Sequence, residues 1–194
     1  MLRVVRSLRA EHGFRGYIHL KVIPNADERL VAEAGRLADR LSINIELPNA
    51  ESLGRLAPKK DIRAIRRSMG SLRGRIDEAA SERRAPRFAP GGQSTQMIVG
   101  ADDADDAAVL RTSVNLYGSY RLRRVYYSAF SPIPEPSGLL PLKPAPLRRE
   151  NRLYQADWLL RFYGFEVGEM FEGGKGMLPL DIDPKLAWAL RHRD

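Results

Sequence analysis

Lys21, Asn44, Glu46, Gln96, Tyr126 and Ser128 alternate with apolar neighbours along short stretches that otherwise read as buried strand. A parallel strand covered on both faces should be a nearly continuous apolar run. A buried Lys or Glu costs several kcal/mol (order of magnitude) unless it is paired or solvated. A row of such groups therefore points to a wet, ligand-holding interior. Individual members have a plainer explanation: Lys21 and Glu46 could pair with each other, or one strand could be an exposed edge. His19 shares the row, but the other histidines, His12 and His192, stand at no metal-ligand spacing from it, so no histidine-based metal site is expected. The chain has no cysteine, which removes disulfides, thiolate nucleophiles and Cys-ligated zinc or iron–sulfur centres.

Other catalytic signatures are missing. There is no phosphate-binding Walker loop and no dinucleotide fingerprint, and Gly173-Gly174-Lys175-Gly176 follows no strand. No Gly-x-Ser-x-Gly elbow occurs. The acidic run Asp102, Asp103, Asp105 and Asp106 reads as the capped, solvated start of a helix rather than a metal loop.

Charge is the second chemical signal. The net charge is +8, and the stretch from Arg55 to Arg87 holds eleven basic residues (Arg63, Arg66, Arg67, Arg73 and Arg83 among them) against Asp61, Asp77, Glu78 and Glu82. A concentrated positive field of this kind draws polyanions such as nucleic acid. A solvated helix face is the competing explanation.

The elements that must position these residues follow from periodicity. Val4, Val5 and Leu8 open a short helix. Tyr17–Ile23 is a strand by its alternation and β-branched content, stopped by Pro24. Asn25 and Glu28 form a capping-box pattern for a helix whose apolar stripe is Leu30, Ala34, Leu37, Ala38 and Leu41. Ile43–Leu47 is a second strand. A longer helix presents Ile62, Ile65, Met69, Leu72 and Ile76 on one face, weakened by Gly70 and Gly74. A Pro/Gly loop at 85–92 leads to a third strand, Thr95–Gly100. A helix with the stripe Ala107, Leu110, Val114 and Tyr117 precedes a fourth strand, Arg124–Phe130. A Pro-rich loop spans 131–148, and helices are expected over 149–163 and 184–191. Strand–helix alternation of this kind demands a parallel sheet with helices outside it. No run of about 18 apolar residues occurs and the N-terminus has no secretory pattern, so a cytoplasmic location is expected.

Several phrases resemble a family together and in order: Tyr17 to Pro24, Leu41 to Glu46, Gly92 to Ala101, Arg124 to Phe130, and Leu153 to Phe165. They resemble the later strands and C-terminal segment of the radical SAM proteins assigned to DNA modification or repair. The phrases Gly92–Ala101 and Tyr154–Phe165 are the specific ones. The resemblance implies that the four strands correspond to the third through sixth of a six-unit partial barrel. It implies that Gln96, Ile98, Val99 and Gly100 lie along the adenine of S-adenosylmethionine. Asn44 and Glu46 would meet the ribose and methionine part, and Tyr126 and Ser128 would complete the adenine side. These placements are by strand position, not by a matched catalytic motif. The family's four-iron four-sulfur cluster is held by a cysteine trio on the loop after the first strand. This chain has no cysteine, so no cluster is expected in it, and the first two strands are expected to be missing. The family's tail beyond the region resembling Asp183–Leu190 is also expected to be missing, since the chain stops at Asp194. A uracil-DNA-glycosylase-like partner is a further implication.

The resulting expectation is an α/β fold: a partial parallel (β/α) barrel of the radical SAM kind, about four of six units, with C-terminal helices. Residues 1–130 form the barrel part, 131–148 the loop, and 149–194 the helical extension. The expected function is that of a fragment of a radical SAM enzyme acting in DNA modification or repair, with Arg63, Arg66, Arg67 and Arg73 on nucleic acid. The alternatives are a non-catalytic basic α/β module that binds nucleic acid or a partner protein, and a small-molecule barrel enzyme.

Overall fold

The alternating apolar and polar stretches do become parallel strands in the computed structural model, which describes residues 1–82, 84–134, 138–173 and 176–193. Among the described residues the elements are α1 (Leu2–Ala10), β1 (His19–Lys21), α2 (Glu28–Leu37), β2 (Arg40–Ser42), α3 (Ala50–Leu56), α4 (Ile62–Ser81), β3 (Gln93–Val99), α5 (Asp106–Tyr120), β4 (Arg124–Ala129), α6 (Leu147–Phe162) and α7 (Pro184–Arg191), with a 3-10 turn at Val167–Met170. The strands form one four-stranded parallel sheet in chain order, β1-β2-β3-β4. Leu20 pairs with Leu41, and Ser42 with Ser94. Among the described residues no helix is long and apolar enough to cross a membrane.

Several boundaries differ from the sequence expectation: β1 is His19–Lys21 rather than Tyr17–Ile23, β4 ends at Ala129, α6 begins at Leu147 within the expected loop, and three further differences have a local reason. The regular part of β2 lies at Arg40–Ser42, not Ile43–Leu47. Ile43 N still donates to Ser94 O at 3.3 Å, but Ile45 N turns to the Thr95 hydroxyl at 2.9 Å, so a side chain replaces the next ladder carbonyl. β3 starts two residues earlier than expected, at Gln93. The cap of α2 is Asp27, whose carboxylate accepts from Arg29 N and Leu30 N. Asn25 instead adopts φ 59° and gives its N–H to the Ser68 hydroxyl.

Two stripes also shift. α2 ends at Leu37, so Leu41 belongs to β2, and Leu30 is 53% exposed; Ala34 and Gly35 are the buried positions. On α5 the buried face is Asp106, Ala107, Val109, Leu110, Ser113 and Leu116, while Val114 faces solvent. The α4 stripe stands: Ile65, Met69 and Leu72 are fully buried. α3 was not foreseen. It is a short helix started by Asn49, which accepts from Ser52 N at 2.7 Å.

The chain forms two compact units of interleaved segments: residues 1–45, 60–96 and 117–126 in the first, and 46–59, 97–116 and 127–194 in the second. In the first, Leu41, Ile43, Ile45, Ile65, Met69 and Leu72 are the core. Each such side chain removed from water contributes about 1.5–3 kcal/mol. In the second, Leu53, Met97, Leu110, Leu116, Leu153 and Met170 play that part. The second unit also buries two polar knots. Arg149 Nε donates to Asp106 at 2.6 Å, and Asp106 also accepts from Leu178 N. Tyr127 Oη lies 2.9 Å from Ser113 Oγ and 3.2 Å from Asp157 Oδ1, its one hydroxyl proton shared between them, and Asp157 accepts from Arg161 at 2.8 Å.

Candidate functional site

In the first unit, alternation sets one apolar and one polar strand face. Leu20, Leu41, Ile43 and Ile45 are buried on the apolar side. On the other, Asn44 Nδ2 donates to Gln96 Oε1 at 3.2 Å, and both side chains are half-buried. This pair is the part of the expected row that the fold brings together here. That bond leaves Asn44 Oδ1 and the Gln96 amide hydrogens for other partners. Two places earlier on β3, Ser94 is fully buried and lies 3.4 Å from His19 Nε2. Ser94 and its register partner Ser42 extend the polar face, and sequence reasoning missed both. The missed signal was the same alternation, two residues closer to the N-terminus of β3. His19 and Lys21 are exposed on either side of buried Leu20. Desolvation, then Arg40 and Lys21, push the His19 pKa below its ordinary value. Tyr126 is half-buried, with Arg124 over its ring at 5.2 Å.

In the second unit, Glu46 is half-buried and adopts φ 68°, and its carbonyl accepts from Ile98 N at 2.7 Å. Val99 faces the buried side, and its carbonyl accepts from Phe130 N. Ser128 is half-buried on β4. Gly100 has φ 82°, and a Cβ there would stand 2.6 Å from the Cβ of Ala145 and 3.4 Å from Arg149 Nη1. That glycine is therefore demanded by the chain's own packing.

The acidic run divides into separate jobs. Asp105 caps α5 by accepting from Ala108 N at 2.7 Å. Asp106 was expected to be solvated but is fully buried, because Arg149 arrives from α6 to pair with it. Among the described residues no group of three or more His, Asp or Glu side chains is placed to hold a metal ion. Gly174 and Lys175 of the glycine-rich stretch lie outside the described residues, as does Arg83 of the basic segment. Gly176 accepts from Ala107 N at 2.9 Å through its carbonyl.

The four arginines expected on nucleic acid also divide. Arg63, Arg66 and Arg67 are exposed on α4, opposite Ile65 and Leu72, and Arg67 lies 3.9 Å from the capping Asp61. Arg73 is half-buried, pairing with Asp77 at 3.3 Å and donating to Ser119 O at 2.6 Å. Its guanidinium helps line a separate hollow.

No protein-family model matches this chain, and no curated protein or solved structure matches it either.

Proposed function

We propose that this chain forms the later strands of a radical SAM-type partial barrel belonging to an enzyme of DNA modification or repair. The observation that carries this reading is the row of half-open amides, Asn44 and Gln96, on the polar face of a parallel sheet whose opposite face is buried. Parallel (β/α) architectures hold ligands with polar side chains carried on adjacent strands. A four-iron four-sulfur cluster does not fit this chain's own residues, which offer no thiolate. For S-adenosylmethionine the donor set is suitable. Asn44 Oδ1 can accept from a ribose hydroxyl and Gln96 Nε2 can donate to one, while the bond between the two amides fixes their orientation. When bound in such enzymes, S-adenosylmethionine supplies a 5′-deoxyadenosyl group for radical chemistry. The protein's part is to orient the nucleoside. A uracil-DNA-glycosylase-like partner would meet this chain on a shared DNA.

Titration with S-adenosylmethionine, followed by the side-chain amide signals of Asn44 and Gln96 in NMR spectra, tests the reading. Both signals should move, and Asn44→Ala should weaken binding about tenfold. Amide signals that stay still at saturating ligand would overturn it.

A second reading is favoured by Arg63, Arg66 and Arg67, exposed together on α4: a non-catalytic basic module that binds nucleic acid through its phosphates. Under either reading, replacing Arg66 and Arg67 with Glu should weaken DNA binding similarly across sequences. The salt slope should fall by about one per arginine. Loss of DNA binding with no response to S-adenosylmethionine would favour the second reading over the first.

A further inference from the structure

The first unit contains a hollow of about 660 Å³ at the N-terminal ends of β3 and β4. Arg73, Arg87, Arg121 and Arg123 line it, with one carboxylate, Asp77, among them. Asp77 is shared, accepting from Arg73 at 3.3 Å and from Arg121 at 3.2 Å. Arg87 pairs with Asp39, which also holds Arg9 at 2.8 Å. Among the described residues, four guanidinium groups and one carboxylate line the hollow, so its wall carries an excess of positive charge.

Two backbone irregularities accompany these arginines. Arg121 follows the last residue of α5 with φ 50°, the left-handed position that glycine takes at many helix ends. An L side chain there is strained. At the start of β3, Gly92 has φ 77°, and a Cβ on it would strike Arg123 Cγ at 2.6 Å. Glycine is thus absent at 121, where it would relieve strain, and present at 92, where it lets Arg123 lie close. A merely solvated basic surface requires neither. Gln93, itself fully buried, ties its Nε2 to Met69 O at 3.1 Å and to Tyr120 O at 2.7 Å, which anchors the backbone leading into Arg121.

We infer that this hollow binds a nucleoside phosphate monoester. Guanidinium groups donate paired hydrogen bonds to phosphate oxygens, and the charge excess suits a dianion better than the single charge of a diester. The volume lies in the range that encloses a small ligand, so it takes an end group and its ring rather than a passing backbone. Phe88 and Tyr120 supply aromatic wall beside the arginines, the surroundings in which a base stacks. The monoester can come from a free 5′-nucleotide or from the 5′-phosphorylated end of a strand. This site is independent of the S-adenosylmethionine reading.

The test uses the full chain with adenosine 5′-monophosphate, adenosine, and two short single-stranded DNAs that differ only in a 5′-phosphate. The nucleotide should bind and adenosine should not. Preference for the phosphorylated strand assigns the site to strand ends; equal binding of the two strands, with the nucleotide still bound, assigns it to free nucleotide. Arg121→Gly should weaken nucleotide binding about tenfold while the melting temperature stays level or rises, because strain is relieved. Arg123→Gln should weaken binding similarly. Arg3→Glu, exposed on α1 and outside the hollow, should leave it unchanged. The proposal fails if the nucleotide binds no better than adenosine. It fails equally if Arg121→Gly folds and binds like the parent chain.

Discussion

Asp39 shows how much one side chain can join. Its carboxylate accepts from Ile18 N at 2.7 Å and from Arg9 at 2.8 Å, and it pairs with Arg87. Burial pushes its pKa upward, but the Ile18 N–H, Arg87 and Arg9 outweigh that, and the net shift is downward. A carboxyl that holds its proton less tightly when folded stabilises the fold above the unfolded value, near 3.9. That contribution is lost as pH falls through the lower folded value. Asp39→Asn should therefore cost roughly 2 kcal/mol in urea unfolding at neutral pH, and the gap to the parent chain should narrow below about pH 4. A gap that stays constant with pH would contradict this account. His19 works from the other direction. Its pKa is lowered from 6.5, so stability should decline as pH drops below that value and the unfolded chain takes up the proton first. His19→Gln should flatten that slope. None of the Asp39 partnership was legible in the sequence, because its partners lie 21, 30 and 48 residues away. The Asn44–Gln96 pair was half legible: alternation marked each residue, and only strand register could join them across 52 positions.

Among the elements, α4 was the most readable. Its stripe repeats at helical spacing for about four turns, and Ile65, Met69 and Leu72 are buried as expected, while Ile62 and Ile76 at its two ends are half-buried and Ala64 joins the buried face. Ile65→Ala should cost about 2–5 kcal/mol, since the side chain is fully enclosed. Gly74 is an exposed helical position with open space around its missing Cβ. Gly74→Ala should gain about 1 kcal/mol; calorimetry that finds a loss would point to a contact at that face. The reading of α2 went astray for a definite reason. Asn25 and Asp27 are both good caps, and sequence alone does not say which one enters a turn. Its stripe then ran on through Ala38 to Leu41, because the first apolar residue of β2 happens to fall at helical spacing. α5 misled through Asp106. An aspartate on an apolar face reads as solvated until a partner 43 residues away is known. Arg149→Met would leave that carboxylate buried and unpaired, and should destabilise by about 3–5 kcal/mol.

For the molecule as a whole, the strand–helix order in the sequence was enough for a parallel α/β sheet, because parallel neighbours need crossover connections and helices supply them. The division into units was not legible, since it depends on which side of each strand packs with which helix. The excess charge of +8 likewise appeared as one basic stretch but separates in space. Part of it is exposed on α4, and part lines the hollow with Arg121 and Arg123, which lie far along the chain from that stretch. The two groups of arginines should therefore give separable effects on binding. Substitutions on α4 change affinity for long DNA and its salt slope, whereas substitutions in the hollow change discrimination between phosphorylated and unphosphorylated ends.

The interleaving also bears on how such a chain can be cut, shuffled or inherited. The backbone passes from one unit to the other at 45/46, 59/60, 96/97, 116/117 and 126/127. No single scission, whether by a protease, a split-gene design or a recombination breakpoint, separates the two units cleanly: a cut at 45/46 leaves the second whole and one at 126/127 leaves the first whole, each with segments of the other attached. A cut near the middle of the chain, at 96/97, leaves each half without segments of both cores, so those halves should be insoluble alone and recover structure only when mixed. Exchange of either unit as a module would require joining the chain anew at all five crossings.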